Sequence, residues 1–177
     1  MQPVILTLPE LPLIGSDLAS AGRSWSPNFN YQGLTASIVV LDAAGGFKEF
    51  RPLNAPLRAD ERFKIRIMPT FDAYARVDQL IGDTWTAQRA GQIYPATDSV
   101  VQINANETVE LPLARNEFFV MNGRGVDRVA LSLRSMARGN ASTQPLYRQD
   151  LAGYSTFQQL LPAGSLPSME FMISTAK

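Results

Sequence analysis

Residues 62–78 read RFKIRIMPTFDAYARVD, and the alternation in that stretch decides the fold class. Phe63, Ile65 and Ile67 fall on one side and Arg62, Lys64 and Arg66 on the other. A half-buried strand requires this period of two, because successive side chains point to opposite faces of a sheet. The rhythm returns from Phe71 to Asp78, with Phe71, Ala73, Ala75 and Val77 inward and Asp72, Tyr74, Arg76 and Asp78 outward. Pro69 lies between the two runs and has no backbone N–H to donate, which predicts a bend rather than one continuous strand.

The same pattern extends in both directions. LTASIVVLD from Leu34, the turn residues 43–46 (AAGG) and FKEF predict a hairpin. Ser99–Ile103 and Thr108–Leu113 predict short strands around the turn Asn104–Glu107. Glu117–Met121 and Val126–Arg134 flank Asn122-Gly123-Arg124-Gly125, where Asn-Gly is a hairpin signal because both residues accept positive φ. Residues 138–145 are polar and turn-rich, Tyr154–Leu161 is predicted as one short helix ended by Pro162, and Ser168–Ser174 as a closing strand. About eight to ten short strands without strand-helix alternation define an all-β fold, an antiparallel β-sandwich that is immunoglobulin-like or a partly closed barrel. The expected organisation is an extended N-terminal arm over 1–33, a sandwich core over 34–137, and a C-terminal extension over 138–177 packing on the same domain.

Several short marks keep a fixed order: the acidic pair Asp60-Glu61 before the first strand, FDAYARVDQ, Gln92-Ile93-Tyr94-Pro95, Leu111-Pro112, and Gly125 leading into VDRVALSLRS. Over residues 34–137 this order resembles the domain of unknown function numbered 4384. The resemblance implies a β-rich bacterial module of envelope or secreted proteins, sometimes joined to peptidase-like or kinase-like domains, and it brings no catalytic residues. The chain departs from that pattern in lacking a glycine near Asp60 and in a longer segment, Gly82-Asp83-Thr84-Trp85, before the Ile-Tyr-Pro mark.

The chain has no histidine and no cysteine. Ser-His-Asp and Cys-His catalysis, histidine general bases, thiolate metal sites and disulfides are therefore all excluded. Lys64 is placed on a solvent-facing strand position, which argues against a Ser-Lys dyad, since such an amine needs desolvation. Asp72, Asp78 and Asp83 read as outward charges rather than a glycosidase pair. No phosphate-cradling motif opens a helix, and no cofactor or metal is expected. Sixteen basic and sixteen acidic residues cancel, so no global field draws nucleic acid. The apolar start, MQPVILTLPELPLIGSDL, carries three prolines and no basic flank, and no apolar run approaches the roughly 20 residues a membrane helix needs, so no direct membrane insertion is expected.

Without catalytic groups, the search turns to surfaces. Trp25, Phe29 and Tyr31 in the arm are expected to anchor a partner, including a second subunit of a homo-oligomer. Arg62, Lys64, Arg66 and Arg76, with Tyr74 among them, are candidates for one basic anion or polysaccharide surface. Trp85 with Tyr74 and Tyr94 is a candidate stacking platform for a sugar or peptide. The leading expectation is a non-enzymatic protein-protein interaction or assembly module of the bacterial envelope or a secretion-type complex, periplasmic or extracytoplasmic, acting through edge strands, the arm or the loop 79–92. The alternative is a carbohydrate or cell-wall ligand-binding sandwich.

Overall fold

The structure, a computed structural model, describes residues 29–81, 88–96, 99–121 and 128–174, and every regular element within them is a strand. Strand β1 (Phe29–Leu41) is long enough to hold two partners along one edge. There β12 (Tyr154–Pro162) pairs with Phe29–Ala36 and β2 (Phe47–Arg51) with Ile38–Leu41. The other edge pairs with β3 (Arg62–Pro69), which itself carries β8 (Phe119–Val120) and β7 (Val109–Leu111) end to end. With β11 (Leu146–Leu151) outside β12, these strands make a seven-stranded antiparallel sheet.

A five-stranded antiparallel sheet runs from β14 (Ser168–Ser174) through β9 (Arg128–Ser135) to β4 (Ala73–Ile81). The far edge of β4 is shared by β6 (Val101–Ile103) and β5 (Gln88–Tyr94). A small parallel pair, β10 (Asn140–Ala141) with β13 (Ser165–Leu166), lies apart. Neither sheet closes into a barrel.

The alternation of residues 62–78 does what its period requires. Phe63, Ile65 and Ile67 join Leu34, Ala36, Ile38 and Val40 in one buried layer, and Ala73, Ala75 and Val77 join Val129, Leu131, Leu133, Met169, Phe171 and Ile173 in the other. These two layers make one hydrophobic core, so the arrangement is sandwich-like. Phe157 of the seven-stranded sheet meets Phe171 of the five-stranded sheet with ring centroids 4.1 Å apart.

Three local expectations are corrected. Tyr154–Leu161 is not a helix but most of β12, with Ser155, Phe157, Gln159 and Leu161 buried in alternation. Two of those inward positions are polar, which hid the period. Ser155 Oγ donates to Asp150 Oδ1 at 2.5 Å and accepts the Leu53 N–H at 2.9 Å, and the Gln159 amide donates to Gln144 O at 2.8 Å. The Asn-Gly signal does not join a hairpin, since β8 belongs to one sheet and β9 to the other; residues 122–127 themselves lie outside the described residues. The arm is shorter than residues 1–33, because Phe29–Gly33 are already paired with β12.

Two outward charges are also corrected. Lys64 sits on the outer face as its alternation says, yet is only 5% exposed, because the chain after β7 covers it and takes its ammonium on Pro112 O (3.0 Å) and Ala114 O (2.7 Å). Asp78 is fully buried, with Arg76 Nε 2.9 Å from its carboxylate. The acidic pair ahead of β3 has a structural task. Asp60 takes φ 61°, a left-handed conformation that asparagine and aspartate enter more readily than most residues, and this supplies the turn where the chain lacks glycine.

The two proline marks meet in space. The Tyr94-Pro95 and Leu111-Pro112 peptide bonds are both cis. The Tyr94 hydroxyl accepts the Leu113 N–H at 2.9 Å, and its ring stands edge-on to Phe119 at 6.1 Å, so the mark on β5 is fastened to the segment following β7 on the opposite sheet. Gln92 steadies the same corner, its amide donating to Pro95 O at 2.9 Å and Ser99 O at 2.7 Å. Tyr94→Phe is expected to lower unfolding free energy by about 1 kcal/mol, the ordinary net worth of one hydrogen bond, with urea denaturation as the check.

Candidate binding face

The seven-stranded sheet turns one face to the core and one outward, and the outward face carries several exposed aromatic side chains. Along β1 the outward positions are Tyr31, Gly33, Thr35, Ser37, Val39 and Leu41, opposite to the buried Leu34–Val40 set. Their cross-strand neighbours extend the face: Phe50 beside Val39, Phe47 beside Leu41, Met68 beside Thr35, and Tyr147 beyond Gly33 through Gln158. Tyr31, Phe47 and Tyr147 are 52%, 58% and 65% exposed, and Phe50, Met68, Val120 and Tyr154 also stand open to solvent. Of the other exposed large apolar side chains among the described residues, Leu113 follows β7, and Ile93, Val100 and Met172 lie in or beside strands of the five-stranded sheet.

A bulge in β2 builds part of this face. Phe47 and Phe50 are three residues apart and in a regular strand would point to opposite sides. The register shift between Val40 and Leu41 inserts one residue into β2, so both rings emerge outward with centroids 4.7 Å apart.

A groove crosses the face where β2 and β12 meet end to end along β1. Thr35 and Ser37 lie at its floor, Phe50 stands on one side, the turn Ala152-Gly153 and Tyr154 on the other, and Arg66, Met68 and Thr108 also line this open groove of about 380 Å³. Gly153 holds φ 100° in the two-residue turn between β11 and β12, a conformation that suits glycine. The Arg66 guanidinium sits 5.3 Å from the centre of the Phe50 ring, and among the described residues it is in no ion pair.

The residues singled out from the sequence divide among different surfaces. Tyr31 and Arg66 belong to this face. Phe29 begins β1, with only its backbone described, while Trp25 and Trp85 lie outside the described residues. The expected basic patch does not assemble. Arg62, Lys64 and Arg66 are on the outer face of the seven-stranded sheet, whereas Tyr74 and Arg76 are on the outer face of the five-stranded sheet, on the far side of the core.

Arg62 donates to Ala43 O at 2.7 Å and lies over Phe118, so it too has a structural post. Tyr74 and Arg76 instead share a groove of about 340 Å³ with Arg134 and Ser132. Nor do Tyr74 and Tyr94 form one platform. Tyr94 pairs with the inward Val77, and its hydroxyl and ring are committed to Leu113 and Phe119. Residues 79–81 and 88–92, expected within a loop, are strand.

The exposed aromatics Phe47, Phe50, Tyr147 and Tyr154 were missed as site residues. Tyr154 opens the stretch predicted as helix, Tyr147 lies between the predicted turn and that helix, and Phe47 and Phe50 belong to the FKEF part of the predicted hairpin. What the fold and this face define is an all-β, two-sheet protein with an open aromatic sheet surface. No family model, curated protein or solved structure matches the chain.

Proposed function

We propose that this chain is a non-enzymatic protein-binding module, a β-sandwich of immunoglobulin-like type that docks a partner protein on the outer face of its seven-stranded sheet. One observation carries the reading: Tyr31, Phe47, Phe50, Met68, Tyr147 and Tyr154 are exposed together on one face. Apolar surface gathered in one place marks interaction sites, and aromatic side chains dominate the energetics of such interfaces. The lack of histidine and cysteine supports a binding role over a catalytic one. The setting, a bacterial envelope or secretion-type complex, rests on the resemblance of residues 34–137 alone.

Phe47→Ser and Tyr147→Ser are expected to change unfolding free energy by no more than about 0.5 kcal/mol, as surface substitutions do. Together they are expected to abolish partner retention when the tagged chain is purified from its native host under mild crosslinking. Retention at the wild-type level would remove this face from the function.

Carbohydrate is the second reading, favoured by the exposure of Tyr31, Tyr147 and Tyr154 on the same face, each with a ring to stack and a hydroxyl to hydrogen-bond. Purified chain binding a polysaccharide in the absence of protein, and losing it in Tyr147→Ala, would select that reading instead.

A further inference from the structure

Lys64 carries a buried charge with no acid paired to it. Its side chain is almost wholly covered, and its ammonium donates to Pro112 O at 3.0 Å and Ala114 O at 2.7 Å. A lysine has three N–H donors, so one is left over. Among the described residues Lys64 is in no ion pair. Buried charges are ordinarily paired, because removing an ammonium from water costs more than two carbonyl dipoles return.

The same lysine lines an open groove of about 730 Å³ on the outer face of the seven-stranded sheet. Val39, Phe47, Phe50 and Leu113 give the groove apolar walls. The charges around it do not cancel. Among the residues lining it Glu110 is the one acid, and Glu110 stands directly across from Arg66 in the β3–β7 pairing, which leaves Lys64 and Arg115. The acids of the flanking hairpin are engaged elsewhere: Asp42 accepts the Ala44 and Gly46 N–H groups, and Glu49 pairs with Arg51. Apolar and aromatic walls around a few charged groups are the usual make-up of a small-molecule site, and such sites span roughly 300–1,000 Å³. We propose that this groove binds a small amphiphilic acid, its carboxylate taken by the remaining N–H of Lys64 and its apolar body lying along Phe47, Phe50 and Leu113. The site does not depend on a protein partner docking on this face.

Decanoate, which joins a carboxylate to an unbranched tail, is the probe, titrated into the purified full chain at neutral pH. Calorimetry should show saturable binding at a single site. Acetate, with the charge alone, and octyl glucoside, with a tail and no charge, should each bind about tenfold more weakly or worse. The chain has three lysines, Lys48, Lys64 and Lys177, so spectra of isotope-labelled lysine read the contact directly. The Lys64 Nζ resonance should move saturably with decanoate while that of Lys177 stays in place. Lys64→Met, which keeps an apolar stem and removes the charge, should weaken decanoate about tenfold, the worth of a hydrogen bond to a charged group. Leu113→Ser, on the exposed wall, should weaken it about fivefold through lost apolar contact and keeps the test alive should the Lys64 variant not fold. Val100→Ser, beside the other sheet, should leave decanoate binding unchanged. Octyl glucoside binding as tightly as decanoate, a Lys64 Nζ resonance indifferent to decanoate, or full affinity in folded Lys64→Met or in Leu113→Ser overturns the proposal. Each of those failures leaves the Phe47 and Tyr147 capture experiment standing.

Discussion

Phe171→Ala is expected to destabilise the protein by about 3–5 kcal/mol, the usual cost of deleting a buried ring and leaving a cavity. Phe171 is 4% exposed and Phe157 3%, and their contact joins the two sheets directly. Sheets packed face to face with side chains interdigitating cannot relax around such a loss without shifting whole strands. A double-mutant cycle with Phe157→Ala, followed by urea denaturation, should return a coupling of about 0.5–1.5 kcal/mol for the ring pair itself. A Phe171→Ala cost near zero would mean that the sheets do not share this core. The expected loss is a large part of a stability that, for a chain of this size, is only about 5–15 kcal/mol.

Glu61→Ala carries the second large effect, about 2–3 kcal/mol. Arg51 reaches both oxygens of Glu61 at 2.9 and 2.8 Å, and the Arg58 N–H donates to the same carboxylate at 2.9 Å. Both side chains are largely covered, 17% exposed for Arg51 and 10% for Glu61, so removing the acid leaves a partly desolvated guanidinium with Glu49 and a long contact to Pro56 O.

The pair also sets a pH dependence. Burial on its own would raise the Glu61 carboxyl, but the hydrogen bonds from Arg51 and Arg58 and the charges of Arg51 and Lys48 outweigh it and hold the group below its ordinary 4.5. The hydrogen bond to Glu61 leads in holding Arg51 above its ordinary value, so the arginine stays charged throughout the acid range. A depressed carboxyl binds fewer protons folded than unfolded. Its contribution is therefore complete above about pH 4.5 and drains away as pH falls through the lower folded value. Unfolding free energy measured across that window should fall more steeply in the wild type than in Glu61→Gln. Parallel curves would remove Glu61 from the acid response.

The period-two runs made the strands and the core side of β1, β3, β4 and β9 legible, because burial on one face imposes alternation directly on the sequence. The same signal could not say which outward side a charge occupies. Arg66 and Arg76 both read as outward, but a two-sheet protein has two outward faces, and only strand pairing assigns them. Lys64 and Asp78 show the next gap: alternation puts each away from the core without telling what covers it afterwards.

The closing strand Ser168–Ser174 was legible as β14, whereas β12 was hidden for a chemical reason. Ser155 and Gln159 hold inward positions in β12 through hydrogen bonds, so polarity broke the pattern that a helix reading then filled. The proposed binding face was hidden by the β2 bulge and by the distance in sequence between Phe50 and Tyr154, which meet only because β2 and β12 share one edge of β1. The proline marks were visible from the start, and the structure gives them a shared task at one corner through Tyr94 and Leu113.

Site-specific photocrosslinking in the native host tests the binding face most directly. A photoreactive phenylalanine analogue replaces Phe47 or Tyr147 on the outer face of the seven-stranded sheet, and Val100 beside the other sheet serves as the control position. The account predicts adducts of one common mass from Phe47 and Tyr147, none from Val100, and loss of the Tyr147 adduct when Phe47→Ser is introduced. Adducts from Val100 with none from Phe47 or Tyr147 would contradict it.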